Sequence, residues 1–121
     1  MRIISGKFKG KKITLPLDKS TRPLKDMVKE SIFNLIKHST KFGINLETSN
    51  ILDLFSGIGS FGIECLSRGV KNVTFFENYP KVLPILKNNL AKLGDTSNYE
   101  IIEEEINNET KFYQLNKKFD L

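Results

Sequence analysis

Apolar positions follow two rhythms along the chain, and the change between them occurs near residue 50. From there, short apolar runs alternate with stretches of helical spacing. Ile51-Leu52-Asp53-Leu54-Phe55 predicts a strand, and it runs into Ser56-Gly57-Ile58-Gly59-Ser60-Phe61-Gly62. A helix is expected from that turn to Arg68, with Gly69 as its stop. Val73-Thr74-Phe75-Phe76 predicts a second buried strand, ending at Glu77. Val82, Leu83, Ile85, Leu86, Leu90 and Leu93 mark the next helix, closed by Gly94, with Pro84 either near its start or bending it. Tyr99-Glu100-Ile101-Ile102 predicts a third strand. A weak helix through Phe112 and Leu115 then leads to Phe119-Asp120-Leu121, expected to open a fourth strand. Alternation of strand and helix with apolar strands implies an α/β protein built on a parallel sheet of three to four strands with right-handed crossovers.

The front of the chain reads differently. Gly6-Lys7-Phe8-Lys9-Gly10-Lys11-Lys12-Ile13 alternates around Phe8 and predicts a two-stranded or extended piece with one cationic face. Such a piece is marginal alone and needs a body to pack on. Pro23 is expected in the first turn of a helix whose buried stripe is Leu24, Val28, Ile32, Leu35 and Ile36, with Arg22, Lys25 and Lys29 outside it. The expected organisation is a basic hairpin-like extension over residues 1–20, followed by a larger unit over 21–121.

Composition narrows the class. The 121 residues are 39% hydrophobic and 27% charged, which describes one globular unit rather than a disordered chain. No apolar run approaches the roughly 20 residues that span a bilayer, and the first residues lack a secretory signal, so no membrane partner and a cytoplasmic location are expected. Cys65, the single cysteine, excludes an internal disulfide. The net charge of +5 is uneven: residues 1–41 carry eleven Lys/Arg against three Asp/Glu (+8), the rest eight against eleven (−3). A basic front on a mildly acidic body suits an anionic partner docking at one end. Lys7, Lys9, Lys11, Lys12 and Arg22 are the candidate contacts to such a partner; if it is a nucleic acid they would hold its phosphates and position it without reading its sequence.

The glycine turn satisfies G-x-G-x-x-G between a strand and a helix, the context that motif requires. Alone it suits either a dinucleotide or S-adenosylmethionine. Asp53 favours the second. A pyrophosphate beside that carboxylate would be a like-charge contact, whereas a sulfonium and an ammonium would be attracted. Glu77, at the end of the second strand, can accept both hydroxyls of a ribose, a role common to both cofactors.

Met1-Arg2-Ile3-Ile4-Ser5-Gly6-Lys7, Arg22-Pro23, Phe33-Asn34, the segment from Asp53 to Gly69, Phe76-Glu77 and Asn89-Leu90 together resemble the bacterial small-subunit ribosomal RNA guanine-N2 methyltransferase family. The glycine segment says only class I methyltransferase; the N-terminal Arg-Ile-Ile-Ser-Gly and Arg-Pro segments narrow it. The resemblance implies a Rossmann-like fold, S-adenosylmethionine as cofactor, and ribosomal RNA or a small-subunit particle as partner. It also implies methyl transfer to the exocyclic amine of a guanine. By it, Asp53, Phe55, Gly57, Gly59 and Glu77 line the cofactor pocket, and Glu105 with Ile106 flanks the adenine. The family more often has Asp-Ala at the latter positions, and Arg-Pro-Thr where this chain has Arg22-Pro23-Leu24.

Family members carry an (Asn/Asp)-Pro-Pro-(Tyr/Phe) motif after the fourth strand. Its polar side chain and a backbone carbonyl accept the N–H protons of the target amine, localising a lone pair otherwise spread into the guanine ring, while the aromatic stacks on the base. The prolines here are at 16, 23, 80 and 84, and no two are adjacent. The chain is therefore expected to be a fragment or a truncated product that methylates nothing alone, so no catalytic residue is assigned. Two other readings stay open: a non-catalytic RNA- or nucleoside-binding module, and an NAD-binding fragment, which Asp53 disfavours. His38 is expected at a helix end, Cys65 as a small buried residue, and Asn88 and Asn89 in local packing or hydrogen bonds. Glu103-Glu104-Glu105 point alternately on an extended segment, so no metal site is assigned.

Overall fold

The computed structural model describes residues 1–17, 23–39, 41–94, 96–115 and 117–121. After the N-terminal extension come helix α1 (Asp26–His38), strand β1 (Asn50–Asp53), helix α2 (Ser60–Ser67), strand β2 (Asn72–Phe76), helix α3 (Leu83–Ala91) and strand β3 (Tyr99–Ile102). Short 3₁₀ turns occupy Leu46–Thr48 and Phe112–Leu115. The strands form one parallel sheet in the order β1-β2-β3, with Asp53 beside Phe75 and Phe76 beside Ile102.

Phe119–Leu121 forms no regular strand, yet it lies along the other edge of β1. Leu52 donates its N–H to the Leu121 carbonyl and Asp120 donates its own to the Asn50 carbonyl, each at 2.8 Å. β1 is thus flanked on both sides, and its carboxyl end opens where chain direction reverses across the sheet, the place where open α/β sheets bind ligands.

Ile51, Val73 and Phe75 of the sheet are fully buried beneath Ile58, Ile63, Leu86 and Leu90. The helix after the glycine turn ends as expected, with Gly69 at φ +89° just beyond it. In α3, Pro84 sits in the first turn, so the helix starts at the proline instead of bending there.

One expectation is corrected. Helix α1 begins at Asp26, leaving Pro23 ahead of it, and its buried face is Lys29, Phe33 and Ile36. Val28 and Leu35 are instead 45% and 59% exposed. The spacing is equally helical, but the face is turned so that a lysine sits at its centre. Desolvation of that ammonium is offset by ion pairs to Glu64 Oε1 at 3.5 Å and Asp26 Oδ1 at 3.6 Å.

The N-terminal extension is hairpin-like. It folds back on itself, with Arg2 bridged to Lys12 and N–H donation from Ile3 to Lys11 and from Ile13 to Met1. Residues 6–10 form the turn between, and Phe8 is buried against the protein. Buried polar groups hold the extension down. Glu64 accepts the N–H groups of Ile4 (2.9 Å) and Ser5 (3.0 Å), Ser67 Oγ accepts that of Phe8, and Asn89 Oδ1 accepts that of Thr14. Gly6 is required here: at φ +88°, a Cβ would lie 2.0 Å from the Ser67 carbonyl oxygen.

Candidate functional site

The site begins where β1 stops. Asp53 closes the strand, and Phe55 turns the chain at φ +54° with its ring 72% exposed, a conformation that costs a non-glycine residue energy. Ser56 pins this turn, donating its hydroxyl to the Asp53 carbonyl at 2.6 Å and its N–H to the Phe76 carbonyl at 2.9 Å. Gly57 follows at φ +58° and donates its N–H to Glu77 Oε1 at 2.7 Å. The other oxygen of Glu77 accepts the N–H groups of Asn78 and Tyr79 at 3.0 and 3.1 Å. The carboxylate that ends β2 is therefore fixed against the turn that follows β1.

Asp53 is held similarly. Gly62, in the first turn of α2, donates its N–H to Asp53 Oδ2 at 3.1 Å, an approach open only to a residue without a side chain. A Cβ on Gly62 would sit 2.2 Å from the Phe75 ring. Burial pushes the Asp53 carboxyl up to about 7; the Gly62 N–H opposes this and the Glu77 charge adds to it. A group so poised changes charge easily when a cation arrives.

These residues open onto a cavity of about 400 Å³. Asp53, Phe55, Gly57 and Glu77, four of the residues singled out in the sequence, line it together with Pro23, Leu24, Ser60 and Phe61. No lysine or arginine is among the described residues of its lining, while two carboxylates are. That donor set fits a cationic, phosphate-free ligand better than a pyrophosphate. Gly59 stands behind the wall, where a Cβ would lie 2.6 Å from Leu86. Glu105 and Ile106 lie in the irregular segment after β3 and are not part of this lining.

Sequence reasoning missed the wall formed by Ser60 and Phe61. Phe61 stacks on Phe33 of α1 at 5.1 Å between ring centroids, which ties the helix after the glycines to the helix before the sheet. Two aromatics spaced 28 positions apart gave no pattern to find. Lys29 and Glu64 were missed as well, although Glu64 with Arg68 one turn later was a readable pair, and Arg68 Nε does donate to Glu64 at 2.9 Å.

Lys7, Lys9, Lys11 and Lys12 are all exposed on the extension. The Lys7 and Lys11 ammonium groups stand 5.4 and 5.5 Å from the centre of the Phe8 ring, and Lys11 donates to the Lys92 carbonyl at 2.9 Å. Arg22 lies outside the described residues. His38 is exposed at the end of α1. Cys65 is buried, and burial raises its thiol well above the ordinary value. Asn89 joins distant segments, donating to the carbonyls of Thr14 and Ile58, so it is more than a local contact. No helix among the described residues is long and apolar enough to cross a membrane.

The parallel sheet, the crossover helices and the glycine turn at the end of β1 define the Rossmann-like fold of class I methyltransferases. The chain belongs to the family described as Conserved hypothetical protein 95, whose pattern matches residues 1–121. It is 41% identical to Bacillus subtilis YlbH over 101 residues, covering 84% of this chain and 52% of that protein. It is 39% identical over 97 residues to Ribosomal RNA small subunit methyltransferase D of Haemophilus influenzae, covering 80% of this chain and 47% of that protein. The solved structure of Escherichia coli yhhF superposes with a TM-score of 0.70 at 30% identity, covering 86% of this chain and 52% of that one. The chain thus spans about half the length of the relatives it matches.

Proposed function

We propose that this chain is the cofactor-binding part of an S-adenosylmethionine-dependent methyltransferase acting on the exocyclic N2 amine of a guanine in small-subunit ribosomal RNA. The carrying observation is the pair of carboxylates, Asp53 and Glu77, facing one cavity that has no cationic side chain in its described lining. The similarity to a methyltransferase named for small-subunit ribosomal RNA supports the substrate class.

When bound, the cofactor supplies an electrophilic methyl carbon on a sulfonium. The protein's own contribution is placement. Asp53 holds negative charge beside the cationic portion, Glu77 accepts the ribose hydroxyls, and the Gly57 backbone lets the ligand approach closely. By the family resemblance, Glu105 and Ile106, in the segment after β3, flank the adenine. The exposed lysines of the extension hold the RNA phosphates, with the ribosomal RNA or the small-subunit particle as partner. The methyl-accepting step needs a group that takes protons from the amine, and the Pro-Pro motif that would supply it is absent from these 121 residues. The polypeptide alone is therefore expected to transfer no methyl.

Titration calorimetry with S-adenosylhomocysteine and with NAD tests the reading. Binding of the first and not the second supports it; the reverse, or a heat signal from neither, overturns it. Methyl transfer to 30S particles by the isolated chain would overturn the claim of inactivity.

A further inference from the structure

Asn89 of α3 is buried and is not part of the cavity lining, yet its amide touches the two regions that the proposed function needs. Its Oδ1 accepts the Thr14 N–H at 2.8 Å, and its Nδ2 donates to the Thr14 carbonyl at 3.2 Å. One side chain thus pairs with the extension as a neighbouring strand would, satisfying both backbone groups of Thr14. The second Nδ2 proton goes to the Ile58 carbonyl at 3.0 Å. Ile58 lies in the glycine turn and lines the cavity.

Lys92, at the end of α3, closes the joint. Its ammonium donates to Thr14 Oγ1 at 2.6 Å, and its carbonyl accepts from the Lys11 ammonium at 2.9 Å. The stretch from Lys11 to Thr14, which carries two of the lysines assigned to phosphate, is therefore seated on the end of this helix. Of the α3 side chains in this joint, Asn89 is the one that also holds the turn. The Ile58 carbonyl stands between Gly57 and Gly59, at φ +58° and +89°. Glycines on both sides leave its direction to be set by what it bonds to.

We infer that Asn89 is a positioning residue that couples the basic extension to the cofactor site, an inference that rests on the cofactor reading above. Seating the extension on α3 fixes the Asn89 amide, and that amide fixes the Ile58 carbonyl and with it the glycine turn. Coupling of this kind is reciprocal: a ligand that holds the turn also holds the extension, and a partner that grips the extension tightens the cofactor.

Amide hydrogen exchange, read residue by residue with and without saturating S-adenosylhomocysteine, tests the coupling. The ligand is expected to slow exchange of the Thr14 N–H roughly tenfold. Exchange of the Lys7 N–H, which anchors the extension on the Ser67 carbonyl instead, should change by less than about twofold. Asn89→Asp keeps an oxygen for Thr14 and loses the donor to Ile58. It should still bind S-adenosylhomocysteine without slowing Thr14, a result that a purely structural role would not give. Thr14→Pro deletes the N–H at an exposed position outside the cavity lining, and by reciprocity should weaken S-adenosylhomocysteine by a similar factor. That variant decides the matter if Asn89→Asp does not fold. Equal slowing at Lys7 and Thr14, slowing at neither, a response that persists in Asn89→Asp, or unchanged affinity in Thr14→Pro overturns the inference and leaves the cofactor reading intact. Failure of the unmodified chain to bind S-adenosylhomocysteine overturns both.

Discussion

Gly57 and Glu77 sit on different crossovers, yet the Gly57 N–H donates to Glu77 Oε1 at 2.7 Å. The carboxylate proposed to receive a ribose is therefore also the strut that holds the glycine turn. Glu77→Ala removes both roles and is expected to lower S-adenosylhomocysteine affinity by more than tenfold. Glu77→Gln keeps an acceptor for the Gly57 N–H and should lose less. Calorimetry on the two variants ranks them; equal losses would show that the strut contributes nothing.

Asp53 links cofactor affinity to pH. Its carboxyl is raised from 3.8 to about 7, so the folded protein favours the neutral form. Its contribution to stability is complete below about pH 4 and declines as pH rises toward 7. A cationic ligand favours the ionised form, so S-adenosylmethionine should bind more tightly at pH 8 than at pH 6, with proton release. Calorimetry in two buffers of different ionisation enthalpy measures that release directly.

The same carboxyl sets a trade between stability and binding. Asp53→Asn removes a buried negative charge while keeping an oxygen for the Gly62 N–H. It should raise the Tm of the ligand-free chain at pH 8, with a smaller gain at pH 5, and weaken cofactor binding about tenfold. Thermal melts at the two pH values, paired with affinities, would expose a variant that moves only one of them.

Glu64 is the hub under the extension. Glu64→Leu leaves Lys29 buried beside Asp26 alone and strands the N–H groups of Ile4 and Ser5, so a loss of about 3 kcal/mol is expected. Gly6→Ala should cost more than about 1 kcal/mol, through its positive φ and its collision with the Ser67 carbonyl. Because Gly6 is not in the cavity lining, that variant should keep its cofactor affinity. Urea unfolding and calorimetry separate the two quantities.

The basic turn should bind RNA through phosphates. Lys9→Ala with Lys12→Ala is expected to weaken RNA binding and to flatten its dependence on salt by about two counterions. Lys7 and Lys11 lie against Phe8, so removing them also strips packing. Unchanged affinity across a salt series would exclude this surface.

Much of this architecture could be read from the residues. Each strand and each crossover helix carries its own apolar run and its own glycine or proline stop, so β1, α2, β2, α3 and β3 emerge within a residue or two. That Asp53 and Gly57 share a cavity could be anticipated from the glycine turn after a strand, and Glu77 from its place at the end of the next strand; Phe55 rested on the family resemblance. Helix α1 was misread because a buried lysine looks like a solvated one until its partners, 35 positions away in Glu64 and at the Arg2 carbonyl, are in place.

The groups that hold the extension, Glu64, Ser67 and Asn89, all belong to the body. Its shape is thus borrowed: cut free as a seventeen-residue peptide, it would lose its fold and present its lysines in no particular arrangement. Grafting it onto another scaffold would mean transplanting the underside of α2 and α3 as well.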